Sequence, residues 1–218
     1  VTTKVGTAAR QALHAAKVPL ATARLRKAIR TMARPIALEL GARGARPGWL
    51  VTDTGGATPH HLDPGGRWPF EDGALSFVYA DNVIEDLPLA QGRALLAEAR
   101  RCLRPGGTLR LATPDIARHV ELYLVGAPAI SSAVASGYRS AGVAVEYPID
   151  LVRAPIGGFG HHDGYVYDFE ALADELQRAG FERVVQEPMG ESDHPQLVGL
   201  ERRSEPGADA QLVVEATR

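Results

Sequence analysis

The chain has 218 residues, 45% of them hydrophobic and 23% charged, with a net charge of -2 and a single cysteine, Cys102. At this length roughly 70% of the unfolded surface can be buried, so a true core is expected, in one large domain or a small domain with an appendage. The near-neutral balance points away from nucleic-acid binding, the lone cysteine excludes an internal disulfide, and no apolar run approaches the roughly 18 residues of a membrane span. With no secretory pattern either, the cytoplasm is the expected compartment.

Residues 1–34 carry Lys4, Arg10, Lys17, Arg24, Arg26, Lys27, Arg30 and Arg34 and no carboxylate. Two helices are expected there, over 7–17 and 20–33, split by Pro19. Leu25, Ile29 and Met32 recur at i, i+4 and i+7 as an apolar stripe that could dock on a core. The basic face could instead meet an anionic surface or partner. The segment reads as a basic N-terminal helical extension to a domain spanning 35–218, and a transit peptide fits less well because serine is absent.

Residues 35–40 read as a first, mostly apolar strand. The Gly-rich stretch 41–48 after it would let a ligand approach the backbone. A second strand, 49–52, ends at Asp53, which is either a turn carboxylate or a group that bonds ribose hydroxyls. A third strand is expected at 60–62, ending at Asp63. His60 and His61 within it would point to opposite faces, so a shared metal ion is not expected.

Phe70-Glu71-Asp72-Gly73 marks a turn, and residues 75–79 are a buried strand with Asp81 and Asn82 at its carboxyl end. Pro88 opens a helix over 89–103, which Pro105-Gly106-Gly107 ends before a strand at 108–112. Strand, helix, strand makes a βαβ unit, and ligands of such sheets sit beyond the carboxyl ends of the strands. Cys102 falls on the apolar side of that helix as a buried small hydrophobe.

A helix over 116–124 leads into 125–164, a stretch without clear period that could form a substrate lid hinged at Gly157, Gly158 and Gly160. His161 and His162 follow. Either could act as general base for an acceptor, or the pair could simply pack in a turn before the next helix. Asp168 should cap a helix over 169–179 ended by Gly180. Strands at 184–185 and 212–215 should pair antiparallel.

Several of these features together are specific. Gly41, Pro47-Gly48-Trp49, Asp53, Pro69-Phe70, Asp72-Gly73, Tyr79, Val83-Ile84-Glu85, Leu87, residues 103–107 and Pro114-Asp115 form one series. Tyr165, Tyr167-Asp168, Leu172, Ala179-Gly180-Phe181, Gly190-Glu191-Ser192 and residues 213–216 extend it. The chain thereby resembles the class I S-adenosylmethionine-dependent methyltransferases, in a bacterial branch of the methyltransferase type 11 kind, over about residues 35–218.

The resemblance implies an α/β fold: a Rossmann-like, doubly wound, seven-stranded sheet, mostly parallel with the last strand antiparallel. It implies S-adenosylmethionine as cofactor and a small-molecule acceptor, such as a sugar or natural-product intermediate. Gly41 and Arg43 would face the methionine part, Asp53 the ribose, Asp63 the adenine, and Asp81 and Asn82 the sulfonium side. Three positions depart from the family pattern: Arg43 stands at its second glycine, and Asn82 and Asp86 at its two histidines. They motivate an alternative, a retired methyltransferase scaffold that binds without turnover. A nicotinamide dehydrogenase is disfavoured because Gly-x-Gly-x-x-Gly is missing after the first strand.

Overall fold

A computed structural model describes residues 2–160, 162–201 and 208–218, with the backbone alone for 2–16 and 208. It has six strands: β1 (Ile36–Leu40), β2 (Trp49–Val51), β3 (Leu75–Asp81), β4 (Leu103–Pro114), β5 (Arg183–Gln186) and β6 (Gln211–Thr217). Their order is β2-β1-β3-β4-β6-β5. The first four run parallel, and β6 lies antiparallel between β4 and β5.

The sheet is therefore six-stranded, not seven-stranded as the resemblance implied. The missing member is the expected strand at 60–62. It contributes one parallel bridge, Asp53 to His61. The His60 N–H turns back to Thr58 Oγ1 (3.3 Å), and the flanking Pro59 and Pro64 cannot donate to a ladder.

The helices are α1 (Thr2–Thr31), α2 (Leu89–Cys102), α3 (Ile116–Val125), α4 (Ala133–Ser140), α5 (Pro148–Gly157) and α6 (Phe169–Arg178). α1 is one continuous helix through Pro19 rather than two. Pro19 is exposed and removes one intrahelical bond without ending the helix. The Asp168 carboxylate accepts from Ala171 N–H (2.8 Å) and caps α6 as expected.

Period-2 alternation sends Leu38, Leu40, Val78, Ala80, Leu109, Leu111, Leu212 and Val214 into one core. α1 meets it through Leu25 and Ile29, α2 through Leu95, Leu96 and Ala99, and α6 through Leu172 and Leu176. The doubly wound arrangement is not what forms. β1 and β2 are joined by residues 41–48 without a helix, far shorter than the usual parallel crossover of a dozen or more residues. No helix separates β2 from β3 either.

Among the described residues, the second face is covered instead by the stretch 187–201 that follows β5. Leu197 and Leu200 pack there on Trp49, Phe77 and Tyr79. The fully buried Arg110 donates to Glu201 Oε1 (2.6 Å) on that stretch and to Glu215 Oε1 (2.5 Å) on β6. Much of 125–160 is helical: α3, α4 and α5 build a small core of their own around Leu122, Val134, Tyr138, Val143 and Leu151. It sits beyond the carboxyl end of β4 and walls one side of the site.

Candidate functional site

The carboxyl ends of β1, β2 and β3 supply the site. Gly41 leaves β1 with φ +65°, a left-handed conformation that side chains resist, and a β carbon there would stand 2.5 Å from Val83 Cγ2. Thr52, just after β2, then ties both ends of this turn: Ala42 N–H in the loop donates to its carbonyl (2.9 Å), and its Oγ1 donates to the Glu39 carbonyl in β1 (3.0 Å). Arg46 anchors the loop's far side, donating to Glu39 Oε2 (2.5 Å) and to the Leu200 carbonyl (3.2 Å). Arg43, between these tethers, is exposed and has no ion pair among the described residues.

Asp53 is buried after β2. Its Oδ2 accepts from Ala57 N–H (2.7 Å), and its Oδ1 from Thr58 N–H (3.1 Å) and Thr58 Oγ1 (3.0 Å). The carboxylate thus organises the turn that follows it. Asp63 accepts one bond in that loop, from Gly65 N–H (3.1 Å).

At the end of β3, Tyr79 OH and Asn82 Nδ2 both donate to the buried Asp81 carboxylate (3.0 and 2.5 Å). Asn82 takes φ +53°, where asparagine is tolerated better than most residues. Its buried Oδ1 has no partner among the described residues. A 3-10 turn, Ile84–Asp86, follows directly. Glu85 in it is buried, and its Oε2 accepts from Thr113 Oγ1 (3.0 Å) at the end of β4. Burial, with the Asp86 and Asp81 charges nearby, pushes the Glu85 carboxyl up to about 8 against the opposing hydrogen bonds.

Two adjoining cavities open onto these groups. The first, about 410 Å³, is lined by Gly41, Arg43, Asp53, Asp63, Asn82 and Asp86 among others. The second, about 330 Å³, is lined by Arg43, Asn82, Glu85, Asp86 and Pro114, and by Pro155, Ile156, Gly157 and Phe159 at the end of α5. Arg43, Asn82 and Asp86 stand in both walls.

Five of the six residues expected to hold a cofactor therefore converge on one cavity: Gly41, Arg43, Asp53, Asp63 and Asn82. Asp81 does not line it and instead fixes Asn82 from behind. His161 lies outside the described residues. His162 is exposed on the turn beyond α5 and lines neither cavity. Glu85 was not singled out as a site residue from sequence. Its place between strand end and helix, among apolar neighbours, was the available signal.

Residues 58–111 match the model of a family described as a methyltransferase domain. The match spans the turn, β3, α2 and most of β4, and includes Asn82 and Asp86, which line both cavities. With the sheet order, it gives the chain a methyltransferase-like α/β fold. Similar solved structures include a methyltransferase of Thermotoga maritima described as S-adenosylmethionine-dependent and as a possible histamine N-methyltransferase. It is 17% identical over 92% of this chain and 91% of that one, with a TM-score of 0.45. An O-methyltransferase family protein of Burkholderia thailandensis is 15% identical over 97% and 60%, TM-score 0.48. Phosphoethanolamine N-methyltransferase 2 of Haemonchus contortus, in complex with S-adenosyl-L-methionine, is 14% identical over 89% and 52%, TM-score 0.47. No curated protein matches the chain. Among the described residues no helix is long and apolar enough to cross a membrane.

Proposed function

We propose that the chain transfers a methyl group from S-adenosylmethionine to a small-molecule acceptor, with the cofactor in the first cavity and the acceptor in the second. The observation that carries this reading is the convergence of Gly41, Arg43, Asp53, Asp63 and Asn82 on one cavity that shares three wall residues with its neighbour. The lining fits such a ligand. Gly41 lets the backbone pass tightly against Val83 in the wall, and the wall carboxylates suit a molecule bearing a sulfonium. Asp53 uses three of its roughly four lone-pair positions internally, which leaves one for a hydroxyl.

Bound there, the cofactor would supply an electrophilic methyl group. The chain's own part is chiefly positioning, which is worth about 7–11 kcal/mol when two reactants are held in line. Pro155, Ile156 and Phe159 would screen the second cavity from water. Glu85 in its wall, kept protonated by burial, can donate a hydrogen bond to an acceptor and help to orient it. For a base at His162 to act, the turn beyond α5 would have to swing inward, using the freedom of Gly157, Gly158 and Gly160; a base at His161 is the other candidate. The exposed Arg26, Lys27 and Arg30 on α1 would remain available to an anionic surface or partner.

The scaffold reading, binding without turnover, draws support from Asp53, whose carboxylate is already largely committed to its own loop. Incubation with S-adenosylmethionine and a panel of hydroxyl- and amine-bearing metabolites separates the two. Acceptor-dependent S-adenosylhomocysteine, read by mass spectrometry, supports transfer. Cofactor binding with no product from any acceptor supports the scaffold, and no heat of binding at millimolar cofactor rules transfer out.

A further inference from the structure

The geometry points to Arg43 as an anion clamp that grips the carboxylate of the ligand's α-amino-acid end. This rests on the cofactor reading above and deepens it.

The charge pattern of the first cavity motivates it. Asp53, Asp63 and Asp86 line that cavity, and Arg43 is the one basic residue in its wall among the described residues. A carboxylate entering there meets one attractive group and three repulsive ones, so its place is set by the guanidinium. The ligand's cationic ammonium and sulfonium are matched by the carboxylates.

Arg43 is also uncommitted. Arg46, three residues on, is spent on Glu39 and the Leu200 carbonyl, and Arg101 and Arg110 are held in ion pairs. Arg43 forms no ion pair among the described residues, although Asp86 lines the same two cavities. Its fork of donors is therefore available for a planar, two-pronged bond to a carboxylate, the geometry in which arginine outperforms lysine.

Its backbone supplies the aim. The tether from Ala42 to Thr52 on one side and Arg46 on the other fix the loop. Gly41, two residues before Arg43, turns the chain out of β1 in a left-handed conformation packed against Val83. A side chain at 43 rises between the two cavities, not away from them. The family's glycine at this position permits backbone approach; here a side-chain charge takes that role.

The test uses the full chain and two nucleosides. S-adenosylhomocysteine carries the amino-acid end, whereas 5′-methylthioadenosine lacks it. Calorimetry of wild type, Arg43→Ala and Arg43→Lys compares both. Charge-assisted bonds of this kind are worth about tenfold to a hundredfold in affinity. Arg43→Ala should weaken S-adenosylhomocysteine by that factor and leave 5′-methylthioadenosine within about twofold, with Arg43→Lys in between. Arg43 is exposed and outside the ion-pair network, so thermal midpoints should not move. Equal losses for both nucleosides, or no loss for either, overturn the clamp while leaving the cofactor reading intact. A wild type that binds neither overturns both.

Discussion

Replacing Glu85 by Gln should change how stability depends on pH, in a direction the structure fixes. Burial holds the Glu85 carboxyl at about 8 in the folded chain, and the unfolded chain returns it to the ordinary value of 4.5. Below the unfolded value both states are protonated, and folding keeps its full advantage. As pH rises from there toward 8, the unfolded carboxyl ionises while the folded one cannot, and stability drains away. Each pKa unit between the two states corresponds to about 1.4 kcal/mol, so the loss across this window is on the order of 5 kcal/mol. The Glu85→Gln side chain would be neutral throughout, would nearly match the shape, and could still accept from Thr113. Urea unfolding from pH 5 to pH 9, followed through the buried Trp68, measures the effect. Wild type and variant should be close at pH 5, and the variant should be the more stable by several kcal/mol at pH 9. Curves that stay parallel across that range would refute the buried, protonated carboxyl.

Other expectations follow from single contacts. Gly41→Ala meets a left-handed backbone and Val83 Cγ2 at 2.5 Å, so it should cost about 1–3 kcal/mol in stability and weaken S-adenosylhomocysteine about tenfold or more. Unchanged calorimetry would contradict the tight wall. Glu201→Ala leaves Arg110 buried with half its partners, which should cost about 3–5 kcal/mol and make residues 188–201 easier to proteolyse. An unshifted denaturation midpoint would count against that strap. Burial pushes the Cys102 thiol up to about 12, so it should resist alkylation at pH 8 until the chain unfolds. Rapid native labelling would contradict the packing of α2.

The central unit was legible because its signals are local. The aromatic and β-branched run gave β3, Pro88 gave the start of α2, and the apolar spacing through Leu95, Leu96 and Ala99 gave its buried face. The cap at Asp168 was read on the same terms. What sequence could not show depends on distant partners. Residues 60–62 had the look of a strand, but a ladder needs a neighbour in register, and only Asp53 provides one bridge. α4 and α5 are short and rich in Gly, Ser, Ala and Pro, and they are held by contacts with α3 rather than by their own propensity. The covering of the second face hangs on Arg110, Glu201 and Glu215, whose sequence separations hide the cluster. The candidate cofactor residues were legible as strand ends. Glu85 was not, because a carboxyl displays its burial only when Thr113 and α5 close around it.

The most direct test of the account is a structure of the chain with S-adenosylhomocysteine. It should place the ligand in the cavity between Gly41 and Asn82, with its ribose toward Asp53 and its carboxylate on Arg43. A ligand found elsewhere, or a chain that takes up none at millimolar concentration, would contradict it.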